Sequence, residues 1–277
     1  MVVGRVLNYL LENISFCHIM MMKGGLVMAE IIDCTCCWYD LLGFGKPFID
    51  SEWRLDTPEC ENNITRIENL ANIFGGGFSV TLGKTLSLND GVIKTRDFIY
   101  NDESKVVGWL RFIAALVWDF ERINYMDKEN GFPGVRGVIT FGKRFYYDST
   151  NASYDALKKE DVAYHPREFQ MNTAFSKAYI MEESGSKMGL EGSYLFWDKK
   201  VFEQLTQYIN NSTYHDKFYC KEYDNENEHI FEIGDEIGWA LRCFCEKEPI
   251  EYSYRGIKTK VYKMVNSITQ IGTPLYG

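Results

Sequence analysis

The chain has 277 residues, 45% of them hydrophobic and 25% charged, which is the composition of a globular protein with one sizeable domain carrying insertions. Its net charge of -9 excludes a surface that tracks a long nucleic-acid backbone, which needs an excess of Lys and Arg, but leaves room for a small anionic ligand held by a few local cations. Glu12, Asn13 and Lys23 interrupt the apolar N-terminal region, so no stretch reaches the ~20 apolar residues of a membrane helix, and no basic segment precedes a clean apolar run as in a signal peptide.

Residues 1–27 read as a short helix or as a segment ahead of a natural start at Met28. From Ile31 to Tyr39 the chain is β-prone, then breaks at Asp40-Leu41-Leu42-Gly43-Phe44-Gly45. Alternation along this strand sends Cys34 and Cys36 to one face and Cys37 to the other, an awkward arrangement for a shared metal. With no C-x-x-C pair among the eight cysteines, buried thiols in a reducing cytoplasm are the expectation. Ile64, Ile67, Leu70 and Ile73 fall at helical spacing, and a hairpin follows from Phe78 to Leu88, turning at Asn89-Asp90-Gly91 into Val92 to Tyr100. The longest helical pattern runs from 104 to 124, with Val106, Leu110, Ile113, Val117 and Phe120 on one stripe. Val135 to Tyr147 reads as a strand, and Met171 to Met181 as an amphipathic helix. A short strand at Tyr194 to Trp197 and a helix over 201–209 follow, then a polar, irregular stretch over 210–248 with strand-like pieces, and a last strand from Ile250 to Val265. Long helices, strands and a central hairpin give an α+β sandwich.

Two carboxylates carry the chemistry of this pattern. Asp40 closes the first strand and Asp90 occupies the hairpin tip; on neighbouring strands their oxygens converge, and hard oxygen ligands suit Mg²⁺ or Mn²⁺ over a phosphate. Asp90 as a plain turn former and Asp40 as a helix cap are the alternatives. Nucleophilic hydrolysis has no support, since none of the four histidines accompanies a G-x-S-x-G elbow.

Several segments in order resemble the catalytic domain of class III nucleotidyl cyclases. WYDLLGFG is similar to its opening D-x-x-G-F, LNDGV to the hairpin of the second metal aspartate, and VRGVITFG to its central strand. MNTAFSKAYIMEES is similar to its V-N-x-A helix, and YRGIKTKVYKM to its closing strand. The resemblance implies a ferredoxin-like βαββαβ core, with helices on one face of a mainly antiparallel sheet. It sets residues 30–266 as the domain, with 1–29 an extension, 210–248 an insertion and 267–277 a tail. It implies two Mg²⁺ or Mn²⁺ ions at Asp40 and Asp90 with Leu41 beside them, and backbone donors from Leu41 to Phe44, Gly43 among them, at the triphosphate. Arg136 and Asn172 take catalytic roles on this resemblance, Arg136 at phosphate and Asn172 at the ribose, with Arg255 or Lys258 also at the triphosphate. Such sites form between two head-to-tail copies, so a homodimer is implied. Read from the residues alone, Arg136 is equally a surface strand residue, Lys258 and Lys260 edge-strand charges, and Asn172 a helix cap.

The chain departs from that pattern at Ser176, where the family keeps an arginine, leaving Arg167 or Lys177 as substitutes. Leu86 and His165 stand at the base-selecting positions and match neither purine code. A cyclase-like domain that stands alone, with no sensor, receiver or membrane segment attached and neither purine code, resembles the pyrimidine cyclases of bacterial Pycsar antiphage systems, which make cyclic UMP or cyclic CMP for an effector encoded nearby. Tyr164, His165 and Arg167 are then the candidate base contacts. A purine cyclase, or a degenerate domain that binds a nucleotide or a protein without turnover, stays open beside this reading.

Overall fold

The structure, a computed structural model, describes residues 18–22, 25–75, 82–98, 103–147, 168–213 and 215–271. The strands are β1 (His18–Met22), β2 (Gly25–Leu41), β3 (Lys84–Leu88), β4 (Gly91–Asp97), β5 (Val135–Tyr147) and β6 (Leu195–Asp198), then β7 (Phe218–Asp224), β8 (Glu228–Asp235), β9 (Ala240–Glu246), β10 (Ile250–Tyr254) and β11 (Ile257–Gln270). The helices are α1 (Lys46–Asp50), α2 (Pro58–Gly75), α3 (Glu103–Glu129), α4 (Thr173–Ser184) and α5 (Lys199–Asn211). The strands join one sheet in the order β3-β4-β2-β5-β6-β11-β9-β8-β7, with β1 on β2 and β10 on β11. Among the described strands every pairing is antiparallel except β5 with β6, which α4 connects as a crossover. The mixed α+β class with a mainly antiparallel sheet is as expected.

Period-two alternation along β2 decides which core each side chain enters. Cys37, Tyr39 and Leu41 face one side, where α2, α3 and α5 pack with Trp109, Phe112, Leu116, Val117, Leu205 and Ile209. Cys34, Cys36 and Trp38 face the other, where α4 brings Ala174, Ala178 and Phe175. Helices therefore lie on both faces of the sheet, not one; the apolar stripe of α4 is matched to the even-numbered side chains of β2 and of β5, where Val138 meets Met181. The thiols of Cys34, Cys36 and Cys37 are free and fully buried, and burial pushes that of Cys34 up to about 12.

Three further readings are corrected. Residues 18–22 and 25–29 pair as an antiparallel hairpin, not a helix. The stretch over 210–248 is not irregular but mostly a regular meander, β7-β8-β9. Its Phe231, Ile233, Leu241, Cys243 and Cys245 join the main core, while on the opposite face Glu232 accepts from the hydroxyls of Tyr219 and Tyr223, each at 2.9 Å, and from Arg242 Nε at 2.6 Å. That polar outer face masks the alternation when hydropathy is averaged along the segment. The last strand is a hairpin, β10 and β11, reversing at Arg255 and Gly256, whose φ of 47° and 81° suit a two-residue turn.

A buried ion pair ties the loops beside the carboxylate end of β2. Arg66 on α2 reaches Asp127 on α3 with Nε at 2.7 Å and Nη2 at 2.8 Å, both residues nearly sealed from water at 2% and 4% exposure. Arg66 Nη2 also donates to the carbonyl of Leu42 at 3.0 Å, and Asp127 Oδ2 accepts the amide of Gly134 at 2.9 Å. The turn after β2 and the start of β5 are thus bound to the same pair. Replacing Arg66 by Met should strand the Asp127 carboxylate and lower unfolding free energy by about 3–5 kcal/mol, read by urea titration at neutral pH. A loss below about 1 kcal/mol would show that the pair is dispensable.

Candidate functional site

Asp40 is the penultimate residue of β2, flanked in register by Gly91 of β4 and Arg136 of β5. The turn at Asn89 and Asp90 is tight: Asn89 takes a φ of 54°, and the amide of Leu41 donates to the carbonyl of Asp90 at 3.1 Å. Gly91 is required here, because a Cβ would stand 2.2 Å from the Trp38 ring, which lies over the hairpin. Asp40 and Asp90, 50 positions apart in the sequence, are in this way brought side by side. Asn89 Nδ2 donates to Asp90 Oδ1 at 3.0 Å.

A third carboxylate joins them. Asp40 and Arg136 share the face on which α4 lies, and the C-terminal end of that helix places Glu182 next to both. Burial, then the negative charges of Glu182 and Asp90, push the Asp40 carboxyl up to about 8, against weaker relief from Arg136 and Arg66. Burial raises Glu182 as well, offset in part by Arg136. Among the described residues Asp40 has no ion-pair partner. A half-buried carboxylate with two others near it and no bonded cation is a place where positive charge is wanted. Among the described residues no three His, Cys, Asp or Glu side chains are arranged as ligands of one ion.

Glu182 escaped the sequence reading, although a signal exists. It follows Ala174 and Ala178 at i+4 steps, so it falls on the buried stripe of its helix, where an acidic residue is rare without a partner.

Other expected site residues are placed differently. Asn172 is 2% exposed and caps α4: its Oδ1 accepts from the amide of Phe175 at 2.9 Å and from the Cys34 thiol at 3.4 Å, while Nδ2 donates to the Glu168 carbonyl at 2.9 Å and to Thr95 Oγ1 at 3.4 Å. It touches β2 four residues before Asp40, roughly 13 Å away along the strand. It is the opposite end of α4 that approaches Asp40, so the helix cap, not the ribose contact, is the role its geometry fits. Arg136 is committed to its own chain, through Nε to Glu182 at 2.8 Å and Nη1 to the Leu190 carbonyl at 2.7 Å. Lys177 spends its ammonium on the Phe141 carbonyl at 3.0 Å, and Ser176 bonds back to Asn172 O at 3.1 Å. Neither substitutes for an arginine beside Asp40.

In the turn after Asp40, the amide of Leu42 donates to the Gly134 carbonyl at 3.0 Å and that of Phe44 to the Leu41 carbonyl at 3.3 Å, and the Phe44 ring is buried in the main core. Of the donors expected at a phosphate, Leu41, Leu42 and Phe44 are therefore already used. Gly43 has a φ of +69° and lines a cavity of about 550 Å³ with Lys46, Ser51, Thr57, Asn63 and Arg66. Arg255 sits on the β10–β11 turn, paired with Glu183 at 2.7 Å, and Lys258 is exposed on β11, three strand spacings or roughly 14 Å from β2. Leu86 packs on Trp38 and Ile93 of the α4-side core. Tyr164, His165 and Arg167 lie outside the described residues.

No family model matches the chain, and no curated protein does. Among solved structures it is similar to the adenylyl cyclase CyaB from P. aeruginosa, at 12% identity and a TM-score of 0.40 over 88% of this chain and 99% of that one. It is also similar to the guanylyl cyclase Cya2, at 10% identity and a TM-score of 0.44 over 90% and 97% of the two chains. A third likeness is to a dimeric guanylyl cyclase domain of the RhoGC fusion protein from Blastocladiella emersonii, at 10% identity and a TM-score of 0.37 over 87% and 98%. Likenesses this distant decide nothing by themselves. Among the described residues, no helix is long and apolar enough to cross a membrane.

The elevated Asp40 carboxyl has a measurable consequence. The folded protein keeps this proton to about pH 8, whereas the unfolded chain releases it near 3.8. The associated stability is fully present below the unfolded value and is lost as pH rises through the folded one. Unfolding midpoints of the Asp40→Asn variant should therefore decline less than those of wild type between pH 5.5 and pH 8.5. A ¹³C-carboxyl titration that places Asp40 near 4 would remove the basis for this.

Proposed function

We propose that this chain cyclises a nucleoside triphosphate to the 3′,5′-cyclic monophosphate and pyrophosphate, with Mg²⁺ or Mn²⁺ held by Asp40 and Asp90 and the Leu41 carbonyl close by. What carries the reading is the meeting of Asp40 and Asp90 at one sheet end, with no cation among the described residues bonded to Asp40, in a chain whose motifs resemble those of nucleotidyl cyclases in their order. The residues fit hard divalent ions: the carboxylate oxygens are the right donor type, and the proton that Asp40 holds is the stand-in a cation would displace. Such ions, when bound, neutralise the triphosphate and favour attack by the 3′-hydroxyl on the α-phosphorus.

The protein's own residues then have these tasks. Asp40 and Asp90 hold charge at the reacting end. The Gly43 turn follows Asp40 directly and lines a cavity beside α1, whose Lys46 is paired with Asp50. Lys258, distant within one chain, and Arg255, paired with Glu183, would serve a site completed by a second, head-to-tail copy. UTP or CTP is the favoured substrate, because apolar Leu86 offers no hydrogen bond by which to read a purine edge. Tyr164, His165 and Arg167 remain the proposed base contacts. The product would act on a separately encoded effector, as a messenger in antiviral defence.

A second reading, nucleotide binding without turnover, draws on one observation: Asn172, Arg136 and Lys177 are all engaged within the chain. Incubating the protein with Mn²⁺ and each of ATP, GTP, UTP and CTP separates the two. Cyclic UMP or cyclic CMP with equimolar pyrophosphate is expected, and Asp40→Asn or Asp90→Asn should each lower turnover by about 100-fold or more. Cyclic AMP or cyclic GMP as main product would overturn the pyrimidine preference alone. Nucleotide-dependent thermal stabilisation without pyrophosphate would favour the second reading, and the absence of both would sink the proposal.

A further inference from the structure

Arg136 stands directly across the β2–β5 ladder from Asp40, on the same face of the sheet. A guanidinium and a carboxylate so placed, partly shielded from water, attract each other strongly. Yet Arg136 turns away. Its Nε and Nη2 both lie 2.8 Å from Oε1 of Glu182, and its Nη1 donates to the Leu190 carbonyl at 2.7 Å.

The local backbone is shaped for this diversion. Helix α4 ends at Gly185, with a φ of +47°, and a Cβ there would stand 3.2 Å from Arg136 Nη1. The amide of Leu190 donates back to the Gly185 carbonyl at 3.0 Å, which ties to the helix end the residue whose carbonyl receives the guanidinium. The Glu182 side chain, the missing side chain at Gly185 and the Leu190 carbonyl together form a socket, and it draws the cation away from Asp40.

We propose that Glu182 is a positioning residue that holds Arg136 off Asp40, keeping that carboxylate open to a divalent cation; this rests on the reading of Asp40 and Asp90 as cation ligands. Without the Glu182 charge, Arg136 falls back on Asp40 and competes with the metal for it. With Arg136 also removed, the competitor is gone.

The test is Mn²⁺ binding by isothermal titration calorimetry, without nucleotide, to wild type and to the E182Q, R136Q, double and D40N variants, with each fold checked by its thermal transition. E182Q should bind about tenfold more weakly than wild type. R136Q should bind at least as tightly as wild type, and the double variant should recover to within about threefold of it, a rescue that a merely structural role for Glu182 does not give. Wild type that fails to bind Mn²⁺, or binding that D40N leaves unchanged, overturns the cation-site reading beneath the inference. If D40N abolishes binding while E182Q matches wild type, the inference alone fails. It also fails if the double variant stays as weak as E182Q, or if R136Q binds more weakly than wild type, a result that stands even where E182Q does not fold.

Discussion

The arrangement around Asp40 depends on the ion pair of Arg66 with Asp127. Two charges so fully removed from water are tolerable only because each is hydrogen-bonded on several sides: Arg66 to the Leu42 carbonyl as well as to Asp127, and Asp127 to the Gly134 amide as well as to Arg66. Those extra bonds fall on the loop that leaves β2 and the loop that enters β5. The ladder sets Asp40 opposite Arg136, and the pair binds together the loops just beyond them. The carboxylates stay close despite their repulsion because the ladder and this staple hold the backbones beneath them.

From that frame the charge pattern follows. Sheet register puts Asp40 between Gly91 and Arg136, the hairpin tip adds Asp90, and the crossover helix adds Glu182 from above. Asp40 and Glu182 both feel the Arg136 guanidinium, which of the two bonds only to Glu182. Asp40 is left without an ion-pair partner among the described residues, and burial with its acidic neighbours pushes its carboxyl up to about 8.

Much of this was legible in the chain itself. The β-prone run ending at Asp40, the Asn-Asp-Gly turn and the strand from Val135 to Tyr147 carry strong local signals, so the meeting of Asp40 with Asp90 was readable in advance. What was hidden depends on which face of an element is buried. A capping asparagine and a ligand-binding one look alike in sequence, so Asn172 is open to both readings there, and the pocket formed by Cys34, Thr95 and Glu168 shows the cap. The pairing of Arg136 is hidden in the sequence because its partner, Glu182, lies 46 positions away. The β7–β9 meander was obscured by an outer face of tyrosines and charges that satisfy one another.

Helix α4 has the character of a rigid lever. Its twelve residues span about 18 Å, with one end sunk through Asn172 into a recess lined by sulfur atoms and the other gripping the guanidinium beside Asp40. A rod pinned at both tips cannot absorb a shift at one of them. The seating of the cap among the β2 thiols and the seating of Glu182 on Arg136 are thus two ends of one rigid element.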